Sequence, residues 1–387
     1  MWIFGSPKII YGEDALCYLE ELSGKRAFIV TDPTIKHLGF VERVQTHLAA
    51  AGIQSEVFAE VEADPSIQTA LRCGRLMADF APDWVVGLGG GSSIDAAKAA
   101  WLVYERPDID PAAINPFDDF GLRAKARLMA IPTTSGTGAE VTMATVLTDS
   151  KEQRKLGLAS YELVPDLAIV DPSLAAGLPP EITADSGLDA LTHAIEGYTS
   201  LYHNDFCDGL CLQAVKLVFE YLPRAYKNGA DSVARERMHN AATMAGLGFG
   251  NSMAALAHAM GHSLGAVFHI PHGRSVSMFL PYTMEFTANG GESRYADIAQ
   301  VLGFSPDDEA QATMYLVDAI RELERRLNQP LSIPEAGVTE RDFERGLASL
   351  VANAEADTSL IMNARIPDSE ELEQLYRCAF YAKVVDF

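Results

Sequence analysis

A short apolar strand leads straight into three consecutive glycines at Trp84-Val85-Val86-Gly87-Leu88-Gly89-Gly90-Gly91-Ser92-Ser93, and a helical pattern follows from Ile94 to Tyr104. Glycines let a backbone approach a pyrophosphate without clashes from Cβ atoms, and the start of a helix offers free N–H groups. A plain tight turn also explains the glycines, but their position at the carboxyl end of a strand favours nucleotide binding.

The first half of the chain alternates strand and helix patterns around this loop. Strands are predicted at residues 27–31, 55–58, 84–88, 127–131, 141–147, 155–159 and 167–170. Alternation of this kind is typical of a doubly wound, mostly parallel, Rossmann-like sheet. After Pro179-Pro180 almost every segment is helical. The sequence therefore predicts an α/β dinucleotide-binding domain over residues 1–179 and an all-α, metal-binding domain over residues 180–387.

A second polar loop, Pro132-Thr133-Thr134-Ser135-Gly136-Thr137-Gly138, also follows a predicted strand. Its hydroxyl groups are suited to hydrogen bonding with phosphate, ribose or a carboxamide, although a structural turn would have the same composition.

Asp32 ends an earlier predicted strand, whereas in the usual Rossmann pattern the ribose-binding acid follows the glycine loop. A carboxylate there would accept from a ribose 2′-hydroxyl and repel a 2′-phosphate, which favours NAD over NADP. Capping of the next helix explains Asp32 equally well.

The segment from Met238 to Gly273 contains no Asp, Glu, Lys or Arg, and four of the chain's 9 histidines lie close together near its end, at positions 258, 262, 269 and 272. Buried imidazoles need partners. Upstream, Asp189 and His193 have the spacing that places two side chains on one face of a helix. Asp189, His193 and two of the later histidines would form a buried site for Zn²⁺ or Fe²⁺. Spacing alone does not select which two.

The composition of the chain limits the classes of partner and the cellular location that we expect. The chain has 387 residues and a net charge of −23, which argues against nucleic acid or an anionic membrane surface as a partner. The five cysteines are odd in number and scattered, so we expect no disulfide framework and a cytoplasmic location. Residues 1–7 lack the basic region and long apolar run of a signal peptide.

Four collinear stretches resemble the iron-containing (group III) alcohol dehydrogenases. They are Gly89-Gly90-Gly91-Ser92-Ser93-Ile94-Asp95-Ala96-Ala97-Lys98, Ile131-Pro132-Thr133-Thr134-Ser135-Gly136-Thr137-Gly138-Ala139-Glu140, Gly187-Leu188-Asp189-Ala190-Leu191-Thr192-His193 and the segment from His258 to Gly273. The resemblance implies an α/β nucleotide domain followed by a helical domain, the architecture shared with dehydroquinate synthase, with the metal in the cleft between the two. It also implies a homodimer or larger homo-oligomer.

The resemblance assigns roles that spacing leaves open. It implies Fe²⁺, with Zn²⁺ or another divalent ion as alternatives, at four ligands, and His262 as a nearby non-ligand histidine close to the substrate and cofactor. The implied ligands are Asp189, His193, His258 and His272. The implied cofactor-binding residues are Asp32, Asp64, Gly89, Gly90, Gly91, Ser92, Thr133, Thr134, Thr137 and Lys155.

Some positions depart from the family pattern. Asp64 stands where many members have Asn, Gly261 replaces an alanine before His262, and Asp185 and Arg274 lie in altered segments next to the implied ligands. None of these is an implied ligand, but they leave the substrate unassigned.

The resulting hypothesis is reversible hydride transfer between a small primary alcohol or diol and NAD, with His262 as the proton relay or, alternatively, as a support for the ligands. A glycerol-dehydrogenase-like or dehydroquinate-synthase-like enzyme on the same scaffold is one alternative, and a non-enzymatic metal-binding module is another. Two nucleotide loops argue against the module, and the complete ligand set argues against the related enzymes.

Overall fold

The computed structural model describes residues 3–116, 118–149, 154–290 and 293–387. The chain divides into two compact units, Met1–Gly177 and Leu178–Phe387. Across the described ranges, no helix combines the length and the apolar character needed to cross a membrane.

The first unit contains eight strands among its described residues: β1 (Lys8–Tyr11), β2 (Arg26–Val30), β3 (Gln54–Phe58), β4 (Trp84–Gly89), β5 (Arg127–Pro132), β6 (Ala144–Asp149), β7 (Arg154–Ala159) and β8 (Leu167–Val170). Six of them form a parallel sheet, with strand order β1-β8-β5-β4-β2-β3. A separate antiparallel hairpin joins β6 to β7. The helices are α1 (Pro33–His37), α2 (Phe40–Ala50), α3 (Ile67–Phe80) and α4 (Gly91–Glu105).

Both faces of the parallel sheet are covered, as its apolar strands require. Phe28 and Val30 of β2 join the core formed with α3 and α4, whereas Ala27 and Ile29 point to the opposite core, which contains the apolar side of α2. All six residues of β4 are buried. Because β5, β4 and β2 are neighbouring parallel strands, their carboxyl ends lie side by side at one edge of the sheet. Most of the predicted cofactor residues follow these strand ends.

The second unit is helical throughout its described residues, which confirms the predicted change of fold class. Its helices are α5 (Pro180–Thr199), α6 (Asp205–Lys227), α7 (Ser232–Gly250), α8 (Leu256–Phe268), α9 (His272–Asn289), α10 (Tyr295–Val301), α11 (Glu309–Arg326), α12 (Glu340–Glu355) and α13 (Ser369–Tyr381). Helix α5 packs against α6, α7 and α9, while α8 packs against α9 and α12. One continuous apolar core connects these helices.

Candidate metal centre and nucleotide loops

Helix α5 carries Asp189 and His193 on one buried face. The two residues are separated by one helical turn, and only 2% of the aspartate and 4% of the histidine is exposed. His193 Nδ1 lies 3.6 Å from Asp189 Oδ1. The ring of His193 stacks on Phe249 of α7 with centroids 3.9 Å apart, so its orientation is fixed by packing.

Two further helices bring the remaining imidazoles to the same carboxylate oxygen. His258, in the first turn of α8, places Nε2 3.7 Å from Asp189 Oδ1. His272, the first residue of α9, places Nε2 3.3 Å from that oxygen. One ligand atom from each of Asp189, His193, His258 and His272 lies within 4.8 Å of all the others. Three helices therefore converge on one small volume.

These four groups fit a divalent metal ion. Within the described residues, Asp189 Oδ1, His193 Nδ1 and His258 Nε2 are buried without a hydrogen-bond partner. Unpaired buried polar atoms are costly, so three of them facing one another are the arrangement expected of ligands for a cation. Ligand atoms at tetrahedral positions about 2.1 Å from an ion lie about 3.4 Å apart, close to the spacings found here. Three nitrogens and one oxygen suit Zn²⁺ or Fe²⁺.

The protonation states of Asp189 and His193 agree with the chemistry of a ligand set. Burial raises the pKa of Asp189, but the neighbouring imidazoles of His193 and His272 overcome this effect and hold that pKa well below its usual value. Burial lowers the pKa of His193 well below its usual value. The site thus combines an ionised carboxylate with a neutral imidazole. Burial also opposes the charge on His258, but the carboxylate of Glu196 raises the pKa of His258 to about 10.

His262 lies beside the four groups without joining them. Its ring stacks on that of His272, with centroids 5.2 Å apart and planes inclined by 19°. Its Nδ1 atom lies 2.7 Å from Oδ2 of Asp357, in the segment after α12. Burial lowers the pKa of His262, although the hydrogen bond to Asp357 opposes this. A histidine held at Nδ1 by a carboxylate presents Nε2 as its exchangeable acceptor.

His269, which lies between His262 and His272 in the sequence, is separate from this cluster. It is exposed and caps the end of α8 with a left-handed backbone, φ 56°. The histidine side chain tolerates this conformation better than most.

Sequence reasoning missed two carboxylates. Glu196 contacts His258, and Asp357 contacts His262. Glu196 had a detectable signal, because it follows Asp189 and His193 on the same face of α5. Asp357 had none, since it lies 95 residues from His262 in the chain.

In the first unit, the glycine loop has a backbone that requires glycine. Gly89 has φ 147°, and a Cβ atom there would lie 2.6 Å from Ser93 Oγ. Asp32 reaches the same loop: its Oδ2 accepts from Ser93 Oγ at 3.2 Å. Asp32 Oδ1 meanwhile accepts from the N–H groups of Thr34 and Ile35 and caps α1. The chain reverses its direction across the sheet between β2 and β4, the usual position of a nucleotide crevice.

The second polar loop contacts the first. Thr133 N donates to Gly89 O at 2.9 Å. A Cβ atom on Gly90 would lie 3.5 Å from the side chain of Thr134, and one on Gly91 would lie 2.9 Å from Thr137. The structure therefore brings all three threonines to the glycine loop.

The remaining predicted cofactor residues border this loop. Ser92 Oγ donates to the carbonyl oxygen of Ala63. The next residue, Asp64, forms an ion pair with Lys155, with Nζ 2.6 Å from Oδ1. This ion pair links the loop after β3 to strand β7.

Comparison with known proteins agrees on one family. A model described as iron-containing alcohol dehydrogenase matches residues 6–172, and one described as the C-terminal part of the Fe-containing alcohol dehydrogenase family matches residues 183–380. The chain belongs to the iron-containing alcohol dehydrogenase family. Membership makes it an alcohol dehydrogenase, an oxidoreductase of alcohols and aldehydes, and favours that interpretation over the glycerol-dehydrogenase-like and dehydroquinate-synthase-like alternatives.

Individual members of the family resemble the chain over its full length. It is 39% identical over 390 residues to an NADPH-dependent butanol dehydrogenase of Clostridium saccharobutylicum, with 100% of both chains covered. The solved iron-containing alcohol dehydrogenase of Thermococcus thioreducens matches with a TM-score of 0.89 and 34% identity, covering 99% of this chain and 100% of that one. The chain spans only 43% of a bifunctional aldehyde-alcohol dehydrogenase of Escherichia coli K12, to which it is 39% identical.

Proposed function

We propose that this chain interconverts a small primary alcohol or diol and its aldehyde, with NAD as the hydride carrier and with a divalent metal ion, Fe²⁺ in the first instance, bound by Asp189, His193, His258 and His272. The observation that carries the proposal is the convergence of three buried, unpartnered ligand atoms within the described helical unit. Within the described residues, Asp189 Oδ1, His193 Nδ1 and His258 Nε2 have no hydrogen-bond partner.

When bound, the ion supplies a Lewis acid that polarises an alcohol or carbonyl oxygen, and NAD supplies the hydride acceptor. Asp189 contributes the negative charge of the ligand set, and the three imidazoles contribute neutral donors once their ligand nitrogens are deprotonated.

His262 is proposed to move the alcohol proton. Its Nδ1 is held by Asp357, so Nε2 is the atom that accepts a proton during alcohol oxidation and returns it during aldehyde reduction. The stacking of His262 on His272 keeps this ring next to the ligand set.

The preference for NAD is proposed from Asp32. Its carboxylate lies at the carboxyl end of β2 and contacts Ser93 just after the glycine loop. A negative charge at a ribose site favours a 2′-hydroxyl over a 2′-phosphate. The butanol dehydrogenase that the chain resembles is described as NADPH-dependent, so this preference is a property of the individual chain that needs measurement.

The decisive experiment measures NADH formation from a panel of short primary alcohols and diols, with protein purified without oxygen and loaded with Fe²⁺ or Zn²⁺. We expect turnover with at least one alcohol and reversal with its aldehyde. The His272→Ala variant should lose bound metal and nearly all turnover, because it removes one of four ligands.

The matched control is His269→Asn. This histidine lies in the same segment but is exposed, and asparagine also tolerates its left-handed backbone. It should retain metal and activity. Full metal content and activity in His272→Ala, or no turnover of any alcohol by metal-loaded protein, would contradict the proposal.

We also propose that the protein is cytoplasmic and forms a homodimer or a larger homo-oligomer. Light scattering of the purified protein measures the number of subunits.

A further inference from the structure

A buried glutamate lies directly behind one of the proposed ligands. Glu196 is on α5, one turn beyond His193, and only 4% of it is exposed. It accepts three hydrogen bonds: from Ala255 N at 2.9 Å, from Ala257 N at 2.5 Å and from His258 Nδ1 at 2.5 Å. Burying a carboxylate is costly, and three donors offset that cost.

Two of those donors belong to the start of α8. Ala255 occupies the N-cap position of this helix and has no side-chain oxygen to accept from the first-turn N–H groups. Glu196 supplies the missing acceptor from a different helix, and its negative charge favours the positive end of the helix dipole. The carboxylate thus attaches the beginning of α8 to α5.

The third donor is the imidazole itself. Because Nδ1 of His258 donates to Glu196, the ring cannot rotate freely, and Nε2 is the nitrogen left to face Asp189 at 3.7 Å. A carboxylate behind a histidine raises its basicity and fixes both tautomer and orientation.

We propose that Glu196 is a positioning residue for the metal centre: it orients His258 and fixes the first turn of α8, so that the metal-binding geometry exists before the ion arrives. This inference rests on the proposed ligand set. It goes beyond that set because Glu196 contacts Nδ1 of His258, the ring nitrogen that faces away from the ligand set, and is not one of the four converging groups.

The competing explanation is that Glu196 only caps α8. Helix capping contributes to the stability of the folded chain with or without metal, whereas a positioning role changes metal affinity itself. Metal affinity therefore distinguishes the capping explanation from the positioning role. It is measured with Zn²⁺ in competition with a chromophoric chelator. Thermal unfolding of metal-free and metal-loaded protein is measured in parallel.

For Glu196→Gln we expect Zn²⁺ affinity to fall by about 10- to 100-fold, the usual cost of losing a carboxylate behind a metal-bound histidine. Glu196→Asp keeps the charge but shortens the side chain, and it should lose affinity by a smaller factor. If Glu196→Gln does not fold, Glu196→Asp decides the question, and wild-type affinity in that variant would overturn the proposal.

The matched control is Asp308→Asn. Asp308 also caps a helix, because its side chain accepts from Gln311 N at 2.8 Å. It lies at the N-cap of α11 and is not one of the proposed metal ligands. Asparagine keeps a capping oxygen but removes the negative charge at the start of the helix, so this variant should lower the unfolding temperature slightly without changing Zn²⁺ affinity. Glu196→Gln behaving like Asp308→Asn would overturn the positioning role. Failure of the wild-type chain to bind Zn²⁺ would instead overturn the proposed function, so the two failures are distinguishable.

Discussion

At the scale of single residues, the two oxygens of Asp32 have different partners. One accepts from the first N–H groups of α1, and the other accepts from Ser93 beside the glycine loop. Capping a helix and facing the nucleotide loop are therefore compatible in the same side chain. Replacing Asp32 by serine should retain most of the capping, since serine is a favoured N-cap residue, and remove the charge.

We expect Asp32→Ser to raise the ratio of catalytic efficiency with NADP to that with NAD by about tenfold or more, corresponding to roughly 1.4 kcal/mol of relieved repulsion. Initial rates with both cofactors provide the ratio. Asp32→Glu is the control, because it keeps the charge. An unchanged ratio in Asp32→Ser would mean that the carboxylate acts only as a cap.

The sequence could place the candidate site approximately but not completely. The helical spacing of Asp189 and His193 needed no tertiary information, because the contact is local. The choice of His258 and His272 among the later histidines did need tertiary information, so it came from a family resemblance rather than from spacing. The contact of His262 with Asp357 depends on how α8 meets the end of α12, and no local pattern encodes that.

At the scale of helices, close approach between α5 and α9 depends on one glycine. A Cβ atom on Gly273 would lie 2.1 Å from the carbonyl oxygen of Asp185 and 3.1 Å from Cβ of Asp189. Nearby, Arg274 pairs with Asp185 at 3.2 Å, so two residues that depart from the family pattern are partners across the same contact. The absence of a side chain at Gly273 brings His272 against α5.

Gly273→Ala should therefore destabilise the protein by about 1–3 kcal/mol or more, because the helices must separate, and should weaken metal binding through the displaced His272. Urea unfolding and metal analysis measure the two effects. Gly209→Ala is the contrast: this glycine is exposed on α6 with nothing within 4 Å of a Cβ atom. Alanine there should stabilise by about 0.5–1 kcal/mol. Equal effects at both positions would contradict the packing argument.

Strands were predictable where they are buried on both faces. The runs around β2, β4, β5 and β8 are apolar enough to be recognised without neighbours. Strand β1 was missed because its four residues, Lys8–Tyr11, are exposed at both ends and pair only with β8 at the edge of the sheet. The predicted strand at residues 141–147 begins at Ala144 instead, since Ala139–Val141 form a turn of 3₁₀ helix.

At the scale of the whole molecule, the four proposed ligands all belong to the unit Leu178–Phe387. The assignment of residues 1–179 to dinucleotide binding and of residues 180–387 to metal binding stays a prediction. It has a thermodynamic consequence, because a ligand stabilises the part of the chain that binds it.

Zn²⁺ at about 100 times its dissociation constant should stabilise the helical unit by about 2.7 kcal/mol. For a unit of this size, that raises the unfolding temperature by roughly 5–11 °C. Calorimetry of chelator-treated protein, with and without added Zn²⁺, measures the shift. The His272→Ala variant should show little of it, and an equal shift in that variant would show that Zn²⁺ acts elsewhere.

The convergence of unpaired lone pairs in a rigid pocket also affects how the enzyme should be handled. A scaffold already shaped for an ion has little selectivity of its own, because intrinsic affinities of nitrogen and oxygen donors follow the general order of divalent metals. Protein stripped during purification will capture whichever suitable ion its next buffer contains. The metal content of a preparation therefore depends on the buffers to which the protein has been exposed. Activities from different laboratories become comparable only when that content is stated.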